Sequence, residues 1–158
     1  MARTLSMNAA PVAEGSTTVT EQVSPVLDVE YGTVGSVRLL LDVYSRDVSA
    51  EVDAARAAII LIHGGGWFRG DKSKETSLAS KLVDAGYLVF AVNYREAPDA
   101  TFPASRDDVL AAAKWAEASD WAFDRSRVAF FGGSAGSQLL KPVKSVQVKT
   151  PLKTQVKK

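Results

Sequence analysis

Hydrophobic and polar positions divide the middle of the chain into strands and helices. Three continuous apolar runs, at 57–62, 87–94 and 127–133, are rich in β-branched and aromatic residues, as is typical of strands buried on both faces. Two earlier runs, PVLDVEYGTV at 25–34 and VRLLLDVYSR at 37–46, are separated by Gly-Ser. This spacing predicts an antiparallel pair.

An amphipathic stretch follows the first buried run. KETSLASKLVDAG, at 74–86, places Leu78 and Leu82 on one helical face. Ser73 can cap the start of this helix and Gly86 can close its end. The segment SAEVDAARA, which precedes the first buried run, is polar and predicts a plain connection.

A second helix is predicted over ASRDDVLAAAKWAEAS, at 104–119. Ser105-x-x-Asp108 matches a capping box at its start. Its apolar stripe consists of Val109, Ala112, Ala113 and Ala116. Buried strands that alternate with helices predict an α/β fold with right-handed crossovers between parallel strands.

Composition places the chain among ordinary globular proteins. Its 158 residues suffice for one domain, and they are 46% hydrophobic and 23% charged. No apolar run approaches the roughly 20 residues that span a bilayer, so no membrane partner is expected. Residues 1–25 lack the apolar core of a secretory signal and predict a flexible polar leader, which favours a cytoplasmic location. The absence of Cys excludes disulfides and thiol nucleophiles.

Charge is distributed unevenly. The net charge is +1, but residues 141–158 hold six Lys and no acidic residue, which leaves about −5 on residues 1–140. We expect a domain over 26–140 and a disordered tail over 141–158. A basic tail can bind nucleic acid or anionic surfaces. This tail has no aromatic or Arg side chain to engage bases, so nucleic acid is the weaker expectation.

The first chemical motif follows the third buried run. Gly132-Gly133-Ser134-Ala135-Gly136 matches G-x-S-x-G, which forms a nucleophile elbow between a strand and a helix. The serine sits on a sharp turn, so its neighbours two residues away must be small. A structural Gly/Ser turn is the alternative interpretation, and the preceding strand favours the elbow.

A glycine-rich loop, His63-Gly64-Gly65-Gly66-Trp67, follows the first buried run. Its amides can form an oxyanion hole with the amide after the serine. A phosphate-binding P-loop does not fit, because Asp71 interrupts the required Gly-Lys pair. GGSAGS is no dinucleotide fingerprint either, because a serine replaces the second glycine.

Together, H-G-G-G-W and G-x-S-x-G resemble the α/β-hydrolase family. The likeness is closest to the esterases and lipases of its hormone-sensitive-lipase and feruloyl-esterase-like branches. Further stretches agree: VNYREAPDATFPASRDDV is similar to the family's Asn-Tyr-Arg-x-Ala-Pro loop and the helix start after it, and FDRSRVAFFGGSAG to its approach to the nucleophile. The resemblance covers about 26–136.

The resemblance implies a serine hydrolase that acts on small carboxylic esters without a metal or cofactor. It implies that Ser134 is the nucleophile and that His63 braces the loop. The implied oxyanion donors are the amides of Gly64, Gly65, Gly66 and Ala135. For Asp71, Tyr94, Arg95 and Asp108 we expect loop bracing and helix capping.

The sequence departs from this family after Gly136. In the family a carboxylate and then a histidine follow the serine, but residues 135–158 contain no Asp, Glu or His. Pro142 should also end the helix after the elbow. We therefore expect the N-terminal half of an α/β-hydrolase sheet, truncated after the elbow, with its last strand, VAFF, as an open edge.

Three functional hypotheses follow. The first is a truncated, nearly inactive carboxylic-ester hydrolase. The second is a hydrolase completed in trans, by self-association or by a partner chain at the open sheet edge. The third is a non-catalytic module with an anion-binding tail.

Overall fold

The computed structural model describes residues 23–46 and 50–139, which form one five-stranded sheet with helices. The strands are β1 (Val26–Val34), β2 (Val37–Tyr44), β3 (Ala58–Ile62), β4 (Leu88–Val92) and β5 (Val128–Gly132). The helices are α1 (Ala50–Ala55), a 3-10 helix (Lys72–Glu75), α2 (Thr76–Asp84), α3 (Ala104–Ala118) and α4 (Ala135–Leu139).

The sheet has the order β1-β2-β4-β3-β5. β1 and β2 form the predicted antiparallel hairpin, and β2 also pairs antiparallel with β4. β3 lies parallel to both β4 and β5. The predicted fold class is confirmed: antiparallel first strands are followed by parallel strands with crossover helices.

The core fills both faces of the sheet. On one face the predicted stripe of α3 is buried against Ile60, Ile62 and Phe90. On the other face α2 buries Ala79 and Val83, and the half-buried leucines of the predicted helix face pack beside them. β3 and β4 are buried along their whole length, which fits their continuous apolar sequences.

The start of α2 differs from the prediction. The 3-10 helix precedes it, and the cap is Asp71, whose Oδ1 accepts the N–H of Ser73 at 2.8 Å. Asp and Ser are about equally good N-caps, and the negative charge of Asp71 is also favourable at a helix N-terminus. The predicted end is confirmed: Gly86 has φ +95° and its N–H donates to the Val83 carbonyl at 2.9 Å.

The predicted capping box of α3 is wrong. Ser105 and Asp108 lie inside the helix, and both bind Arg95 of the preceding loop. A tertiary partner therefore takes the side chains that the local pattern assigned to the helix end. The connection at 49–57 was predicted to lack secondary structure, but its middle contains the good helix formers Ala and Glu and forms the helix α1.

The strand β5 is less buried than its sequence predicts. Within residues 23–46 and 50–139, β5 pairs with β3 alone, so it lies at an edge of the sheet that these residues form. Only Val128 is buried, and Phe131 is 48% exposed. Residues 1–22 of the predicted leader at 1–25, the predicted tail at 141–158 and Pro142 lie outside the described residues. Among the helices that are described, none has the length and apolarity to cross a bilayer.

Candidate active site

The turn between β5 and α4 has the backbone of a nucleophile elbow. Ser134 has φ +52°, in the left-handed region that non-glycine residues rarely occupy. The N–H groups of Gly136 and Ser137 donate to the carbonyls of Gly133 and Ser134, at 3.0 and 3.1 Å. These bonds start a helical turn directly at the serine, whose side chain is exposed.

Two glycines of the G-x-S-x-G motif are required by close packing. A Cβ on Gly136 would lie 2.6 Å from the carbonyl oxygen of Ile62 and 2.8 Å from that of His63. A Cβ on Gly132 would lie 2.8 Å from the carbonyl carbon of Gly136. The first turn of α4 therefore rests directly on the end of β3.

The H-G-G-G loop lies beside the elbow. A Cβ on Gly64 would be 3.0 Å from the Gly133 carbonyl oxygen and 3.4 Å from the Ser134 Cβ. The sheet explains this approach, because β3 and β5 are parallel neighbours and Ile62 pairs with Gly132. The segments after both strands thus emerge at one edge of the sheet.

The loop turns sharply after Gly64. Gly65, Gly66 and Trp67 have φ of +151°, +62° and +74°, so two of the three positions after Gly64 use a freedom that belongs to glycine. The Gly65 carbonyl accepts the N–H groups of Phe68 and Arg69, at 3.3 and 3.2 Å. The turn is therefore closed by its own backbone.

His63 is packed behind this loop. It is 1% exposed, its ring stacks on Tyr94 with centroids 4.4 Å apart, and its Nδ1 lies 3.0 Å from the Gly64 carbonyl oxygen. The Tyr94 hydroxyl donates to the His63 carbonyl at 2.9 Å. Burial, together with the charge of Glu96, raises the pKa of Tyr94 to about 12, so this donor stays protonated at neutral pH.

The chain after the loop is held by hydrogen bonds to Asn93. The Asn93 amide donates to Asp71 at 3.0 Å and its oxygen accepts the N–H of Lys72 at 2.7 Å. Burial alone would raise the pKa of Asp71, but hydrogen bonds from Ser73 and Asn93 and the charge of Lys72 lower it to about 2.

Lys72 ties the same segment to the hairpin. Its side chain is 8% exposed, and its Nζ lies 2.7 Å from Asp28 and 2.8 Å from the buried Asp42. Burial opposes the charge of Lys72, but the hydrogen bonds to both carboxylates outweigh it and raise its pKa. The lysine therefore stays charged between its two partners.

The two remaining residues of the family-like stretch form an ion pair. The Arg95 guanidinium and backbone N–H bind the Asp108 carboxylate at 2.7 to 2.9 Å. Asp108 is 3% exposed, so this pair joins the loop to the buried side of α3. The contacts of Asp71, Tyr94, Arg95 and Asp108 agree with the bracing interpretation.

Sequence reasoning did not find Gly70 or Glu96. A Cβ on Gly70 would lie 2.0 Å from the His63 Nδ1, and its N–H donates to the Glu96 carboxylate. The glycine itself was the available signal, since it ends the loop. Within residues 23–46 and 50–139 no side chain hydrogen-bonds the Ser134 hydroxyl, and no group of three acidic or His residues is arranged around a metal position.

The model of the BD-FAE family matches residues 41–157, which is most of the chain. The chain belongs to the BD-FAE family. This confirms the resemblance to esterases of the α/β-hydrolase fold.

Relatives of this BD-FAE chain include esterases. It is 35% identical over 117 residues to "Probable carboxylic ester hydrolase LipM" of Mycobacterium tuberculosis, covering 71% of this chain and 26% of LipM. It is 40% identical over 88 residues to ethyl acetate hydrolase of Pseudomonas putida, covering 54% of this chain and 28% of that enzyme. Esterase B from Lactobacillus rhamnosis has a similar structure, with a TM-score of 0.68, 28% identity and coverage of 78% of this chain and 39% of that one.

Proposed function

We propose that this BD-FAE chain carries the nucleophile and the oxyanion loop of a serine carboxylic-ester hydrolase. The supporting observation is the contact of Gly64 with Gly133 and Ser134, which brings the glycine loop to a serine at positive φ. In this proposal Ser134 is the nucleophile. The oxyanion donors are the amides of Gly64, Gly65, Gly66 and Ala135.

The reaction proceeds in two halves. The Ser134 oxygen attacks the carbonyl carbon of an ester, and the carbonyl electron pair moves to its oxygen. The loop amides donate to the oxyanion as its charge develops. The bond to the alcohol then breaks, and the alcohol leaves with the proton that the serine hydroxyl released. Water hydrolyses the acyl-serine by the same steps, which returns a proton to the serine.

Proton transfer is the step for which this chain supplies no general base. Its one histidine, His63, is buried and fixed by Tyr94, and residues 135–158 add no Asp, Glu or His. A serine without a base is a poor nucleophile. We therefore propose that the 158-residue chain hydrolyses esters slowly, on the order of 10³-fold above water.

Turnover of p-nitrophenyl acetate by the 158-residue chain tests this proposal. We expect slow hydrolysis of the same order in the original protein, in Ser134→Ala and in Ser77→Ala, a control on the exposed side of α2, because the oxyanion loop rather than the serine supplies it. A kcat above about 1 s⁻¹, lost in Ser134→Ala, would contradict the missing base. Rates that do not exceed hydrolysis in buffer would contradict the role of the oxyanion loop.

A second candidate is a hydrolase completed by another polypeptide. It is supported by β5, which within the described chain pairs on one side only and exposes Phe131. A partner chain that adds a strand there would have to bring a carboxylate and a histidine with it, whereas a second copy has no histidine other than the buried His63. The tail lies outside the described residues, so anion binding by the tail stays a prediction. The cytoplasmic location also stays a prediction.

A further inference from the structure

Glu96 holds the end of the oxyanion loop. Both of its carboxylate oxygens accept the N–H of Gly70, at 2.9 and 3.1 Å. A hydrogen bond to an ionised acceptor is stronger than a neutral one. The contact joins side chain to backbone across 26 residues, so it fixes one loop against another.

Gly70 transmits this contact to the glycines of the loop. A Cβ on Gly65 would lie 2.6 Å from the Gly70 nitrogen and 2.7 Å from its Cα, which means that the two backbones touch. Gly70 also lies against the His63 ring. A displacement of Gly70 therefore moves the backbone of Gly65, which has an unusual φ of +151°.

The neighbour of Glu96 makes a second contact with the same loop. The N–H of Ala97 donates to the Trp67 carbonyl at 2.9 Å. The pair 96–97 thus holds the loop at two points, one through a side chain and one through backbone. Glu96 also occupies the unspecified x position of the Asn-Tyr-Arg-x-Ala-Pro pattern.

We propose that Glu96 is a positioning residue, which fixes the amides of Gly65 and Gly66 through Gly70 for binding an oxyanion. The proposal rests on the proposed function for its purpose, but the placement of the loop can be measured without any ester. Glu96 takes no part in bond making or breaking.

Three variants separate this role from general stabilisation. Glu96→Leu removes the acceptor, and Glu96→Gln keeps a carbonyl oxygen that can accept from Gly70. Glu117→Leu is the matched control, because it makes the same change on the exposed side of α3. If Glu96→Leu does not fold, Glu96→Asp replaces it, since its shorter side chain withdraws the carboxylate.

The first measurement is the amide NMR spectrum of the 158-residue chain. In Glu96→Leu we expect the Gly65 and Gly66 amide resonances to shift and the Gly70 amide to exchange at least about tenfold faster. Glu96→Gln and Glu117→Leu should stay close to the original protein. Unchanged resonances, or a change confined to Gly70, would overturn the proposal.

The second measurement is binding of butaneboronic acid, which adds to a serine hydroxyl as a tetrahedral anion. We expect Glu96→Leu to weaken binding by about tenfold and Glu96→Gln by less than about threefold. Unchanged affinity in Glu96→Leu overturns the positioning role. If the original protein and Ser134→Ala bind equally, the proposed function fails, and the Gly65 and Gly66 resonances then decide the role of Glu96.

Discussion

Ser134 keeps its left-handed backbone because the residues around it leave no room for another arrangement. Gly132 and Gly136 touch each other, and Gly136 also rests on the carbonyls that end β3. Gly133, in contrast, has no atom within 4 Å of a built Cβ. The glycines of the motif therefore differ in what a methyl group would cost.

Gly136→Ala should destabilise the fold by about 1–3 kcal/mol, because its methyl group would overlap the Ile62 carbonyl. The better helix propensity of Ala, about 1 kcal/mol, offsets only part of this loss. Gly133→Ala, the matched control, should change the free energy of unfolding by less than about 0.5 kcal/mol. Urea unfolding of both variants checks this, and equal losses would refute the packing explanation.

At the scale of single residues, the sequence predicts the structural roles of some residues and not those of others. The need for glycine two positions from the serine follows from the turn alone, so G-x-S-x-G could be read directly. Glu96 could not, because its partner Gly70 lies 26 residues away and only the fold brings them together. The same holds for Lys72, whose partners Asp28 and Asp42 belong to the hairpin.

Among the elements, the 3-10 helix carries the clearest electrostatic signature. Asp71 caps it and also accepts the Asn93 amide, so its ionised form is favoured by the fold. Its pKa falls to about 2, below the usual value of 3.8. The carboxylate therefore contributes stability above about pH 4, and that contribution is lost as the pH falls toward 2.

Asp71→Asn should be less stable than the original protein at pH 6, because Asn carries no charge and its single acceptor oxygen cannot serve both the Ser73 N–H and the Asn93 amide. The difference should shrink as the pH falls from 4 to 2, since the unfolded chain takes up its proton first. Urea unfolding across this range measures it, with Asp99→Asn, an exposed loop residue, as control. A difference that stays constant with pH would argue against this assignment.

Elements with strong periodicity were predictable from the sequence. The hairpin, β3, β4 and the buried stripe of α3 all follow from their apolar patterns. The start of α3 and the short helix α1 were not, because tertiary contacts outweigh weak local signals at helix ends. Ser105 and Asp108, which the sequence predicted to cap α3, show this directly, since Arg95 binds both.

At the scale of the whole molecule, the important feature is the side of β5 that has no partner strand among residues 23–46 and 50–139. Unprotected edge strands pair readily with other chains, and Phe131 adds exposed apolar surface to this one. The sequence predicted this edge from the family layout. It did not predict the strand order, which places β4 between β2 and β3.

Phe131→Lys should weaken self-association by about tenfold, because a charge on an edge strand opposes pairing. Phe102→Lys is the control, since Phe102 is 74% exposed but belongs to a loop. Sedimentation velocity over a range of concentrations measures both. A stably folded chain that is monomeric at every concentration would count against self-association at this edge.

The positions of the site's segments along the chain also determine when the candidate site can form during synthesis on the ribosome. The loop that contains Gly64 emerges about 70 residues before Ser134, yet the three atoms nearest to a Cβ on Gly64 all belong to Gly133 and Ser134. At roughly 5–20 residues per second, several seconds separate the two events. A nascent chain therefore presents its glycine loop to the cell well before the serine reaches it, and the candidate site is among the last parts of the described chain to assemble.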